Sequence, residues 1–157
     1  MNYDNKINPV LITYSKPIKI EKTVLTKVFT MNVREVKEKP GRVFKVIWDQ
    51  RNPLIKGFFN NYSYVVTFSD TGKLAGNHYH KEKEELFYCL SGQVSIILQH
   101  IDSKKREEIK ISASENKIVF IPKMTGHVIV SKAPNTTFLV IASRPSVEGD
   151  EFLYKVI

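Results

Sequence analysis

The sequence predicts an all-β domain, an antiparallel sandwich or barrel, and three observations carry that expectation. Helical periodicity is nearly absent from its 157 residues. Short stretches rich in β-branched and aromatic residues recur at close, even spacing from residue 61 onward. Between them stand turn signals: Asp70-Thr71-Gly72, Ser91-Gly92, Asp102-Ser103-Lys104, Ser114-Glu115-Asn116 and Pro134-Asn135.

Taken in order, residues 10–14 and 42–48 read as strands by composition. Residues 23–38 can be drawn as an amphipathic helix or as strands, and their Val, Thr and Phe content favours strands. Beyond residue 61, strands are expected near 62–68, 74–80, 84–90, 92–100, 106–112, 117–121, 126–131 and 136–143. The expected organisation is one domain over 1–157, with N-terminal strands in 1–60, a core barrel in 61–143 and a C-terminal strand in 144–157. Pro40-Gly41 is a turn inside this domain rather than a boundary.

Composition excludes several classes. At 42% apolar and 25% charged the chain is an ordinary globular protein, long enough to bury a core without staples. The net charge of +8 is scattered, and runs such as KEKEE and KKREE mix both signs, so a nucleic-acid partner is not expected, although an anionic small molecule would be drawn to such a field. The start, MNYDNKINPV, lacks the pattern of a signal peptide and no run approaches membrane-spanning length, so a cytoplasmic location with no membrane partner is expected. Cys89 is the only cysteine, and its setting, LFYCLSG, reads as a buried structural thiol.

The chemistry sits in GNHYHKEKEELFYCLSG. Reading outward, Gly72 is followed after five residues by His78, after one by His80, after four by Glu85 and after six by Gly92; farther on, Pro122 precedes His127 by four residues. This spacing resembles the paired motifs of the cupin superfamily, over roughly residues 61–142. The resemblance implies a double-stranded β-helix, or jelly-roll barrel. The second motif departs from the pattern: Met124 stands where many cupins have glycine, and Asn116 and Ser131 hold the positions of its leading glycine and trailing asparagine.

The spacing also has a physical reading. Side chains alternate along a strand, so His78 and His80 share a face and Tyr79 takes the other. Glu85, opening the next strand, can sit beside the pair, and His127 arrives from a strand that only a closed sheet brings near. Three imidazoles and one carboxylate suit a divalent metal ion with open positions, zinc first, with iron, manganese or nickel as alternatives. His100 fits no ligand position.

Locally, the segment resembles the cupins of nucleotide-sugar epimerases and ketoisomerases of surface-polysaccharide biosynthesis, the RmlC-like group. That resemblance implies proton abstraction beside the ketone of a nucleotide-linked 4-keto sugar. The implied catalytic residues are His78 and His80: a bound metal would hold the enolate as a Lewis acid, and in a metal-free version either histidine would be the base, with Tyr64 and Tyr88 as candidate acid partners. Those enzymes commonly carry Arg-Gly just before the first motif histidine, the arginine serving the diphosphate, whereas this chain has Ala75-Gly76. Lys73 and Lys81 are the candidate substitutes and, with Tyr64, the expected substrate-binding residues, though a lysine lacks the fork of arginine. Two other readings stand beside this one, a mononuclear iron dioxygenase and a non-enzymatic sugar- or metabolite-binding module. A homodimer is expected as well, because Tyr79, Leu86, Tyr88 and Leu90 place apolar groups on the face away from the ligands, and residues 10–20 read as a strand.

Overall fold

A computed structural model of the chain describes residues 15–35 and 40–157. The strand expected at 10–14 lies outside the described residues. Residues 23–38 take the extended alternative where described: β1 (Pro17–Lys22) is followed by β2 (Lys27–Met31) and β3 (Val33–Glu35), and β3 pairs with β4 (Val43–Lys45), a shorter strand than 42–48 suggested.

The barrel strands are β5 (Tyr62–Phe68), β6 (Leu74–His80), β7 (Glu85–Ser91), β8 (Gln93–His100), β9 (Arg106–Ser112), β10 (Lys117–Ile121), β11 (Thr125–Ser131) and β12 (Thr136–Ala142). Every end falls within one residue of the sequence expectation. A short β13 (Glu151–Leu153) follows. The expected turns separate these strands, and each holds a residue in the left-handed region: Gly72, Gly92, Lys104, Asn116 and Asn135 all have φ between 51° and 81°.

After β5 the chain crosses repeatedly between two antiparallel sheets, one ordered β1-β2-β10-β7-β12-β5 and the other β13-β6-β11-β8-β9. This is the jelly roll. Alternation sends Phe87 and Cys89, Ile96 and Leu98, and Phe138 and Val140 into the space between the sheets, where they form the main core with Phe68, Ile111 and Val119. Burial pushes the Cys89 thiol up to about 11, as befits the structural role expected of it.

The outer face of the six-stranded sheet is covered by the chain itself. Leu86 and Tyr88, with Phe29, Ile118 and Ile141, pack under Ile47, Trp48, Leu54, Ile55 and Phe58, and the Trp48 and Phe58 rings lie 5.1 Å apart. On the other sheet Tyr79 stacks on Phe152 of β13 at 5.1 Å. The need for a second subunit over Leu86, Tyr88 and Tyr79 is therefore corrected, because residues 47–58 and β13 meet it; of the four apolar residues only Leu90 stays exposed. No helix among the described residues is long and apolar enough to cross a membrane.

Candidate functional site

The site is built on a bulge. Strand β6 pairs with β11 through Leu74–Val130, Ala75–Ile129 and Gly76–Val128, then resumes at His78–His127, leaving Asn77 as the extra residue. Gly76 has φ 102° and Asn77 φ 64°. A Cβ on residue 76 would stand 2.6 Å from the His127 carbonyl oxygen, so close approach as well as backbone shape requires glycine. The extra residue resets the alternation, and Ala75, His78 and His80 all face inward. The C-terminal segment secures the bulge: Asn77 Oδ1 accepts from the Val156 and Ile157 amides, and the Asn77 carbonyl accepts from Tyr154 N–H.

His78, His80 and His127 converge on the inner face, each offering a ring nitrogen within 4.8 Å of the others. His80 Nδ1 lies 2.9 Å from the Asp150 carbonyl oxygen and His127 Nδ1 lies 3.1 Å from that of Thr125. A carbonyl only accepts, so both rings carry hydrogen on Nδ1 and turn an Nε2 lone pair into the site. His80 Nε2 is fully buried and makes no hydrogen bond among the described residues. His78 alone of the three reaches solvent, its side chain 19% exposed, and its Nδ1 lies 3.6 Å from Glu151 Oε1. Burial lowers all three imidazoles, His80 to about 4 and His127 to about 3; for His78 the Glu151 and Glu85 carboxylates partly oppose the effect.

Glu85 is buried beneath them. Its Oε2 lies 3.3 Å from His127 Nε2 and its Oε1 lies 3.2 Å from Lys83 Nζ, although neither oxygen meets hydrogen-bond geometry. Lys83 is equally buried, and its ammonium donates to Ser146 Oγ at 3.0 Å. Tyr64 on β5 faces the same interior, and burial together with the nearby Glu85 carboxylate pushes its phenol upward.

The structure thus brings together His78, His80, Glu85, His127 and Tyr64. It does not bring Tyr88, which lies on the opposite face of β7 and donates its hydroxyl to Asn116 Oδ1 at 2.9 Å; candidacy as an acid is corrected to a packing role. Lys73 precedes β6 at its far end, about 20 Å from His80 at strand rise. Lys81 is exposed, with its ammonium 4.4 Å from the centre of the Phe152 ring. Neither lysine reaches the histidines. His100 accepts from Ser103 N–H in a turn. Met124, in place of the motif glycine, takes the left-handed conformation itself, with φ 57°.

Sequence reasoning missed Lys83, Asp150 and Glu151. Lys83 stands two residues before Glu85, the spacing that puts both on one face, but its run of alternating charges reads as solvated surface. Glu151 is placed by pairing with His80 across β13 and β6, which no local pattern announces.

The family model described as FdtA, WxcM-like C-terminal, matches residues 26–154. The chain belongs to this family. No curated protein sequence matches it. The fold of this WxcM-like domain is similar to that of dTDP-4-dehydrorhamnose 3,5-epimerase from Bacillus anthracis strain Ames with TDP and PPi bound, at 13% identity and a TM-score of 0.73 over 85% of this chain and 81% of the other. It is similar to NovW, a 4-keto-6-deoxy sugar epimerase from Streptomyces spheroides, at 13% identity and a TM-score of 0.71 over 85% and 71%. It is similar, too, to a histidine-to-asparagine mutant of the 3,4-ketoisomerase QdtA from Thermoanaerobacterium thermosaccharolyticum in complex with TDP-4-keto-6-deoxyglucose, at 19% identity and a TM-score of 0.67 over 83% and 88%.

These likenesses overturn the expected divalent ion, since RmlC-like epimerases are metal-independent. In the WxcM-like domain the cation beside Glu85 is the Lys83 ammonium.

Proposed function

We propose that this chain is an isomerase acting on a nucleotide-linked 4-keto sugar, an epimerase or ketoisomerase that moves a proton on the carbon beside the ketone. One observation carries the reading. Of the three clustered histidines, His78 alone is open to solvent, and a carboxylate stands behind its Nδ1. In this reading the hydrogen sits on Nδ1, on the side of Glu151, and the Nε2 lone pair is the base, while burial lowers the imidazole and favours its neutral form.

In the proposed reaction His78 Nε2 takes the proton, and the electrons of the C–H bond move through the carbonyl onto its oxygen as an enolate. Glu151 stabilises the imidazolium that forms. The buried Lys83 ammonium balances the Glu85 carboxylate, so that the negative charge of Glu85 does not oppose the developing enolate. Returning a proton to the opposite face of the same carbon gives an epimer, and Tyr64 is the phenol available from another strand. Returning it to the former carbonyl carbon, while the neighbouring hydroxyl passes its own proton to the enolate oxygen, gives the ketoisomer. His80 and His127 back the reacting imidazole. The family and the neighbouring folds support the substrate class, and the QdtA neighbour, itself a histidine-to-asparagine mutant, holds a 4-keto nucleotide sugar.

A cytoplasmic role in surface-polysaccharide biosynthesis belongs to the same proposal, and so does a homodimer, supported by Ile18 and Ile20 exposed on β1 at the sheet edge. A monomer in sedimentation at micromolar concentration would remove the dimer. The enzymatic reading is tested by incubating the protein with TDP-4-keto-6-deoxyglucose and related 4-keto sugars in deuterium oxide. Label is expected on the carbon beside the ketone, and His78→Asn should slow its entry by about 10²-fold or more. Saturable binding of these sugars without any exchange would favour a binding module instead.

A further inference from the structure

Asp150 touches the site from two directions. It is only 6% exposed, yet among the described residues no cation pairs with its carboxylate. Instead Oδ1 accepts from the backbone N–H groups of Lys81 at 3.0 Å and Glu82 at 2.8 Å, and Oδ2 accepts from that of Lys83 at 3.1 Å. Three successive amides wrapped around one carboxylate form an anion nest, with the anion supplied by residue 150. The Asp150 carbonyl meanwhile accepts from His80 Nδ1, and its amide donates to the Val147 carbonyl at 3.2 Å.

We propose that Asp150 is a positioning residue for the isomerase reaction, setting His80 with its main chain and Lys83 with its side chain. The inference rests on the function proposed above. Removing a buried carboxylate from water is costly, and the three amide bonds offset that cost only while the 81–83 loop keeps its shape. The same bonds hold the main chain of residue 150 in place, and with it the carbonyl that fixes hydrogen on His80 Nδ1. Without the clamp, His80 is free to exchange tautomers, turning an N–H rather than a lone pair toward His78 and His127. Lys83 loses the backbone anchor that seats its ammonium between Glu85 and Ser146. A shift of about 1 Å in such a group is enough to cost on the order of 10²-fold in rate.

Two variants of the full chain test this. Asp150→Asn keeps the shape but turns an amide N–H toward a backbone N–H, breaking part of the clamp; Asp150→Ala removes it. The expected fall in kcat is about tenfold for Asp150→Asn and about 10²-fold for Asp150→Ala, with KM changed by less than about threefold, since neither His80 nor Lys83 is exposed to substrate. Nitrogen-15 spectra of labelled histidine provide a readout independent of substrate: His80 should hold one tautomer, hydrogen on Nδ1, in the parent and a mixture in both variants. An unchanged tautomer in Asp150→Asn overturns the inference, even where kcat falls, because the residue is then only a loop staple. If Asp150→Ala fails to fold, Asp150→Asn decides. Should the parent exchange no proton on any 4-keto sugar, the proposed function fails, while the nitrogen-15 spectra still judge whether Asp150 sets His80.

Discussion

Lys83 Nζ lies 3.2 Å from Glu85 Oε1, and each side chain is only 1% exposed. An ion pair taken so completely from water is poor value for stability, since an apolar pair of similar volume does as well or better. Breaking one half is another matter. Lys83→Met and Glu85→Leu should each destabilise the fold by about 3–5 kcal/mol, whereas the double variant should recover most of that loss. Urea denaturation of the four proteins checks it; additive losses would mean that the two charges are not coupled.

Glu151 stands behind His78 at 3.6 Å and is 44% exposed on its side chain. Glu151→Gln keeps the shape but removes the charge that stabilises the imidazolium. Deuterium exchange into the sugar should slow by about tenfold, with the loss in kcat rather than KM. A rate equal to that of the parent would leave His78 working alone.

The buried histidines make stability depend on pH. His80 is held at about 4 against an ordinary 6.5, so between those values the unfolded chain binds the extra proton and the folded chain does not. Stability is therefore complete above about pH 6.5 and falls as the solution is acidified toward 4, His80 alone accounting for on the order of 3 kcal/mol. His127, at about 3, extends the loss to lower pH. Urea midpoints between pH 8 and 4 should show the decline, and a His80→Gln variant should show a shallower one.

Tyr88 is expected to matter for folding and not for turnover. Tyr88→Phe leaves buried Asn116 Oδ1 without its donor, a loss of about 1–2 kcal/mol, while kcat stays within twofold, about the scatter of such measurements. A larger fall in kcat would return this phenol to the chemistry.

What could be read in the sequence was whatever is written locally. The barrel strands showed through because alternation and turn residues are properties of neighbours in the chain, and even the left-handed turns fell at Gly72, Gly92 and Asn135. The histidines and Glu85 showed through by spacing alone. The bulge at Asn77 did not, nor did Asp150 and Glu151, which reach the site by pairing across some 70 residues. Residues 47–58 have no regular pattern to show that they cover Leu86 and Tyr88. The expected metal has a different origin: the same side-chain spacing suits an ion or a mobile proton, and the likeness to metal-independent epimerases, not the spacing, separates the two.

The order in which the chain is synthesised gives the last short strand a particular consequence. A ribosome that has delivered residues 62–142 has delivered every barrel strand, and with them His78, His80, Glu85 and His127. Yet Asp150, Glu151 and the backbone amides that grip Asn77 are still to come. Pairing of the eight barrel strands thus assembles the histidines without orienting them, and orientation waits on the docking of residues 150–157.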